Sequence, residues 1–152
     1  MKVTGNKSLS SMIKLFLQMI LVIGVTIYIT LPILLKNYIH YINSSLEYTS
    51  ALILLYTSGL PAIIVVNELI HMFNTIKQDN PFIKQNVKSL KCISICSFII
   101  AVEYTIGIFL VTNSIFAIII IGAFVIAWLG SYVLSELLQK AIYYKEENDL
   151  TI

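Results

Sequence analysis

The sequence predicts an all-α integral membrane protein: a four-helix bundle of two antiparallel transmembrane hairpins with both termini cytoplasmic. Three observations carry this expectation. Four apolar runs, about 12–35, 50–73, 92–112 and 115–138, are each long enough to cross roughly 30 Å of hydrocarbon as a helix. Of the 152 residues 58% are hydrophobic and only 12% charged, where soluble domains hold about 25% charged residues. Almost all the lysines, which are the whole of the basic complement besides histidine, keep to alternate connections. The net charge of +2 and the lack of a basic block exclude direct nucleic-acid binding as an expectation.

The first run is too long for a signal-peptide core, has no small-residue cleavage site after it and is followed by further spans, so it reads as a membrane helix. After it, Ser44-Ser45-Leu46-Glu47 has the form of a capping box, which starts the second helix near Ser45. Asp79-Asn80-Pro81 reads as the next helix start, with Asn80 as N-cap and Pro81 in the first helical position. The third helix is thus expected to begin with an extension over about 81–91, outside lipid. Phe82, Ile83, Val87 and Leu90 lie on one side of it and Lys84, Lys88 and Lys91 elsewhere. Thr112-Asn113-Ser114 is a tight link that makes the third and fourth helices antiparallel neighbours. The fourth helix is expected to run past the membrane toward Lys145, within a cytoplasmic tail of 139–152 that frays from Asn148. Strands are excluded by run length, by the lack of strict alternation and by the cost of an open sheet edge in lipid.

Lysine placement sets the expected orientation, because cytoplasmic flanks carry the Lys/Arg excess. Lys2, Lys7 and Lys14 precede the first run; Lys77, Lys84, Lys88 and Lys91 lie at the second connection; Lys140 and Lys145 follow the fourth run. The first connection holds only Lys36, and the third holds no lysine. Tyr38, Tyr41 and Tyr48 would then mark the outer interface and Tyr143 and Tyr144 the inner one.

Ionisable groups at membrane depth are the first candidates for function. Glu103 is the deepest, about 18 Å along the helix from Lys91 at 1.5 Å per residue. Thr26, Ser58 and Trp128 fall near the same level, and Pro61 leaves the Thr57 carbonyl without its helical donor there. Glu103 is either a proton or cation site or a neutral carboxyl hydrogen-bonded between helices. Glu68 and His71, spaced i, i+3, have the spacing of a di-metal carboxylate motif, but no second copy exists, and no metal is expected. A pair facing Lys88 or Lys91 is the plainer reading. Glu136 lies at a similar depth, so Asn67, Glu68, His71, Lys91 and Glu136 could form a polar ring, as a docking rim or as snorkelling helix-end charges. Cys92 and Cys96, and Gly107, Gly122 and Gly130, read as small packing positions. No phosphate loop, cofactor motif or catalytic set is present, so no enzyme activity is expected.

Two stretches carry a family likeness. Asp79-Asn80-Pro81-Phe82 is followed by Asn86-Val87-Lys88 and Leu90-Lys91; the end reads Leu134-Ser135-Glu136-Leu137-Leu138 and then Lys145-Glu146-Glu147-Asn148-Asp149-Leu150-Thr151-Ile152. This resembles the YoaS-like bacterial membrane proteins of unknown function. Ser89 stands where that family usually has a basic residue, and Ala141 where Gly is frequent. The resemblance implies a four-helix protein of the bacterial plasma membrane and no reaction. Genes of such proteins often stand beside one for a small helix-turn-helix regulator.

The expected function is a small regulatory or sensor protein that binds or restrains a cytoplasmic partner, such as that regulator. Pro81, Phe82, Asn86, Lys88, Lys91, Glu146, Glu147, Asn148, Asp149 and Leu150 are the candidate partner-binding residues. The alternative is an oligomeric solute, proton or peptide transport or immunity protein, with Glu103 and the Pro61 kink lining its path. Membrane lipid and a possible second copy of the chain complete the expected partners.

Overall fold

The computed structural model describes residues 7–42, 48–77, 81–110 and 115–149. They form α1 (Lys7–Ile42), α2 (Tyr48–Lys77), α3 (Lys84–Leu110) and α4 (Ile115–Asp149). All four helices are long and apolar enough to cross a membrane, along Ser11–Tyr41, Tyr48–Ile76, Lys84–Ile108 and Ile115–Asn148. At about 1.5 Å per residue the 35 residues of α4 make a rod on the order of 50 Å, well beyond the thickness of hydrocarbon. The helix therefore tilts or stands clear of lipid at one end. Ser44 to Glu47, Asn80 and Thr112 to Ser114, expected to cap or link helices, lie outside the described residues.

Among the described residues, helices touch only in chain order: α1 on α2, α2 on α3 and α3 on α4. The four helices of the expected bundle thus stand in an open row. Lipid explains why the row need not close. Hydrocarbon tails solvate an apolar helix face as well as another helix does, so packing and polar contacts decide which faces meet. Neighbours run in opposite directions. Along α2, Leu54 packs over Gly107, Thr57 lies beside Glu103 and Thr75 bonds Asn86, so the α3 partners run backwards. The same reversal holds for Tyr28 and Pro32 of α1 against Gly59 and Tyr48, and for Lys84 and Ser94 of α3 against Glu146 and Trp128.

The core lies along α3, which has a neighbour on each side. Val87, Leu90, Ile93, Cys96, Ile100 and Ala101 are its buried apolar residues, joined by Ala51 of α2 and Ile142 of α4. Ser89, Ser94 and Ser97 are buried among them, and small side chains let backbones approach closely. Within the chain 39% of the α3 apolar window is buried, and none of the α1 or α4 window. The outer helices accordingly present exposed Ile29, Phe116 and Ile126, which suits lipid contact.

Two helix ends differ from expectation. α3 starts at Lys84 rather than Pro81. Asn86 Nδ2 donates to the Pro81 carbonyl at 2.7 Å, taking the acceptor a helical N–H would use, and Asn86 N donates to Ile83 O at 3.0 Å. α4 continues to Asp149, through the stretch expected to fray. Its extension has a surface to rest on: Ile142 is buried, and Glu146 reaches Lys84 of α3.

Glycines divide sharply. Gly107 packs against Leu54 as expected, but Gly122 and Gly130 face open space, so they are not close-packing positions within this chain. The tight position is Gly59, where an added Cβ would lie 2.7 Å from Tyr28 Cδ2. The Tyr28 ring is held edge-on against Tyr56, with centroids 4.9 Å apart, and its hydroxyl donates to Tyr56 O at 3.4 Å. Gly59→Ala should therefore lower the melting temperature in detergent, at a cost of about 1–3 kcal/mol for overpacking. Gly107→Ala should be near neutral, because the Leu54 methyls that it meets can rotate away and Ala favours the helix by about 1 kcal/mol. Equal effects at the two sites would refute this account of α1–α2 packing.

Candidate functional site

The polar end of the α3–α4 pair is built by the two stretches that stood out in the sequence. Lys84, Lys88 and Lys91 succeed one another at i, i+4 and i+7 on α3. Facing them on α4 are Glu136, Gln139, Ile142, Tyr143 and Glu146. Lys84 Nζ lies 3.0 Å from Glu146 Oε1, and Lys91 Nζ lies 3.5 Å from Glu136 Oε1 and donates to Gln139 Oε1 at 3.2 Å. These groups are largely exposed, and exposed ion pairs contribute about 0–1 kcal/mol. Burying Ile142 against the first turns of α3 is worth more, about 1.5–3 kcal/mol for a full aliphatic side chain. Apolar contact holds the α4 extension down, and the charges set its register.

The candidate partner-binding residues fall into two sets. Phe82, Lys88, Lys91, Glu146, Glu147 and Asn148 are exposed, and Pro81 is half-buried beside them. Asp149 ends α4, and Leu150 lies outside the described residues. Asn86 is different: it is 2% exposed, and its amide is spent on its own chain. Its Nδ2 holds the Pro81 carbonyl, while Oδ1 accepts from Thr75 Oγ1 of α2 at 2.9 Å. Asn86 ties the connection between α2 and α3 and offers nothing outward.

The polar ring is not assembled. Lys91 and Glu136 meet across α3–α4, whereas Glu68 lies near Cys96 on the α2 side of α3. An open row keeps α2 and α4 apart, so groups at one depth do not share one space. Glu68 and His71 make no ion pair with Lys88 or Lys91 among the described residues. No three His, Cys, Asp or Glu residues among those described come together as a metal shell. Cys92 and Cys96 are free thiols.

The second site is the Glu103 slot between α2 and α3. A cavity of about 260 Å³ is lined by Ser50, Ile53, Leu54, Thr57, Glu103, Ile106 and Gly107. The Glu103 carboxyl lies beside the Thr57 side chain, so the hydroxyl rather than the expected carbonyl faces it. Thr57 Oγ1 also lies 2.9 Å from Ile53 O and 3.2 Å from Leu54 O, carbonyls of its own helix that compete for its hydrogen. Glu103 Oε2 is shielded and has no hydrogen-bond partner among the described residues. Thr26 and Ser58 bond carbonyls of their own helices and play no part here. Trp128 belongs to the α3–α4 seam, where its ring meets Phe98 at 4.8 Å and its carbonyl accepts from Ser94.

Sequence reasoning missed Gly59, the role of Asn86 and the Ile142 contact. Gly59 had a visible signal in the Gly59-Leu60-Pro61 run inside a span; the other two depend on which helices are neighbours.

A family described as a protein of unknown function (DUF2975) matches residues 28–152, which include both the Pro81 element and the C-terminal stretch. No curated protein and no solved structure matches the chain.

Proposed function

The chain belongs to the DUF2975 family, whose function is unknown, and from that premise we propose that it is a regulatory membrane protein of the bacterial plasma membrane. In this reading both termini are cytoplasmic, α1–α2 and α3–α4 act as two transmembrane hairpins, and the protein binds or restrains a cytoplasmic partner such as a small helix-turn-helix regulator. The YoaS-like kinship is part of the same proposal. One observation carries it: the start of α3 and the end of α4 lie together, joined by the Lys84–Glu146 pair. They present Phe82, Lys88, Glu147 and Asn148 from one end of the molecule. A helix that only had to cross the bilayer would not need the residues past about 138.

A crosslinked pull-down from membranes, with the full chain and with a chain lacking 149–152, tests this. The truncation removes neither Ile142 nor Glu146, so membrane level and melting temperature should stay near the parent values while partner capture is lost. Capture that survives the truncation places the docking surface elsewhere. Loss of the protein from the membrane makes the tail structural.

The Glu103 slot favours a second reading, an oligomeric protein that moves a proton, solute or peptide, because a carboxyl opens onto a cavity at membrane depth. A growth phenotype that depends on a solute, together with an empty pull-down, would favour it over the first.

A further inference from the structure

The α3–α4 seam holds a groove of about 400 Å³ whose chemistry suits an anion with an apolar body. Lys84, Lys88 and Lys91 line it from α3, with Gln139 and Tyr143 at the rim and Ile142 in the floor. Lys84 and Lys91 each have a carboxylate of α4 as counter-charge. Lys88, between them in the sequence and exposed, has no hydrogen-bond or ion-pair partner among the described residues. Three ammonium groups against two carboxylates leave the groove one positive charge in surplus.

Depth decides what anion reaches it. The fourth apolar run ends at about 138. Gln139 to Glu146 therefore rise roughly 1.5–12 Å past the hydrocarbon edge at 1.5 Å per residue. A headgroup layer is about 5–8 Å thick on each side of the bilayer. The groove thus opens at the level of the lipid phosphates. A free phosphate would use the ammonium groups alone, whereas the glycerol and first methylenes of a lipid would also lie along the exposed Tyr143 ring and the lysine stems. Basic pockets between membrane helices bind anionic headgroups by this combination.

We propose that the α3–α4 groove binds the phosphate of an anionic phospholipid, with Lys88 as its principal cation. The site shares one end of the molecule with the docking surface proposed above but needs neither a protein partner nor a particular orientation. The two readings therefore fail separately, and the purified full chain tests this one alone.

The lone tryptophan, Trp128, packs on Phe98 at the same seam and reports its melting by fluorescence. Phosphatidylglycerol and phosphatidylcholine are titrated separately into the detergent-solubilised protein, and inorganic phosphate in a third series. Phosphatidylglycerol should raise the melting temperature at a mole fraction about fivefold lower than phosphatidylcholine, the preference one lysine near a membrane surface supplies. Lys88→Gln should abolish the preference, Lys88→Arg should keep it, and Lys36→Gln, on another helix, should leave it unchanged. Without added lipid Lys88→Gln should melt with the parent. Equal response to the two lipids, or a preference that survives Lys88→Gln, overturns the proposal. A Lys88-dependent shift produced by inorganic phosphate alone also overturns it, in favour of a soluble phosphorylated ligand.

Discussion

Glu103→Lys should deplete the protein from the membrane, while Glu103→Gln should accumulate and melt close to the parent. Glu103 lies in a slot whose other walls are aliphatic apart from the Ser50 and Thr57 side chains. A lysine at the centre of a membrane helix costs about 2.5–3.5 kcal/mol on the insertion scale. No carboxylate would remain in that slot to pair with it. Glutamine keeps the size, one acceptor and a donor. A hydroxyl both donates and accepts, so Thr57 beside position 103 can pair with either end of the amide. Membrane abundance and detergent melting curves of both variants check this. A Gln variant that accumulates normally yet loses function would show that the proton itself matters, and the transport or proton-sensing reading would then overtake the regulatory one.

Asn86→Leu should be the most destabilising change in the α2–α3 connection. It removes the donor to Pro81 O and the acceptor for Thr75 Oγ1 together, at a 2%-exposed position. Leaving a buried polar group unpaired costs about 1–3 kcal/mol. Thr75→Val should cost less, because the Thr75 hydroxyl divides one hydrogen between Asn86 Oδ1 and Met72 O, and removing it leaves the Asn86–Pro81 bond intact. Melting temperature gives the order of the two, and limited proteolysis shows whether the segment after α2 has come loose. If Asn86→Leu melts with the parent, the connection is held by something other than this side chain. The consequence reaches the proposed docking surface, since the same bond orients the segment that carries exposed Phe82.

How far the site was legible depends on the range of the interaction. The i, i+4, i+7 lysines, the unusual C-terminal stretch and the deep carboxyl are local facts, visible because helical spacing converts directly into a shared face. The polar ring was not, because it assumed that groups at equal depth meet. Depth is set along each helix by its own composition, but meeting requires adjacency, and Glu68 and Glu136 lie on opposite sides of α3. Gly122 and Gly130 were misread for the same reason: small residues mark an interface only if a helix lies there, and within this chain none does.

The sequence by itself determined the helical class, the four candidate spans and the position of the polar ends. Those follow from the transfer of apolar side chains and paired backbone into lipid, which is a property of each segment alone. Only the tertiary structure decided that the helices form an open row, that α3 carries the core, that Asn86 is a tie rather than a contact residue, and that α4 stays helical to Asp149 on the surface of α3. In lipid the apolar faces have no strong preference for one another over the solvent. The order of packing therefore falls to a few close contacts and hydrogen bonds, such as Tyr28 on Gly59, Thr75 to Asn86 and Ile142 against α3, whose partners are too distant in sequence for any local pattern to reveal.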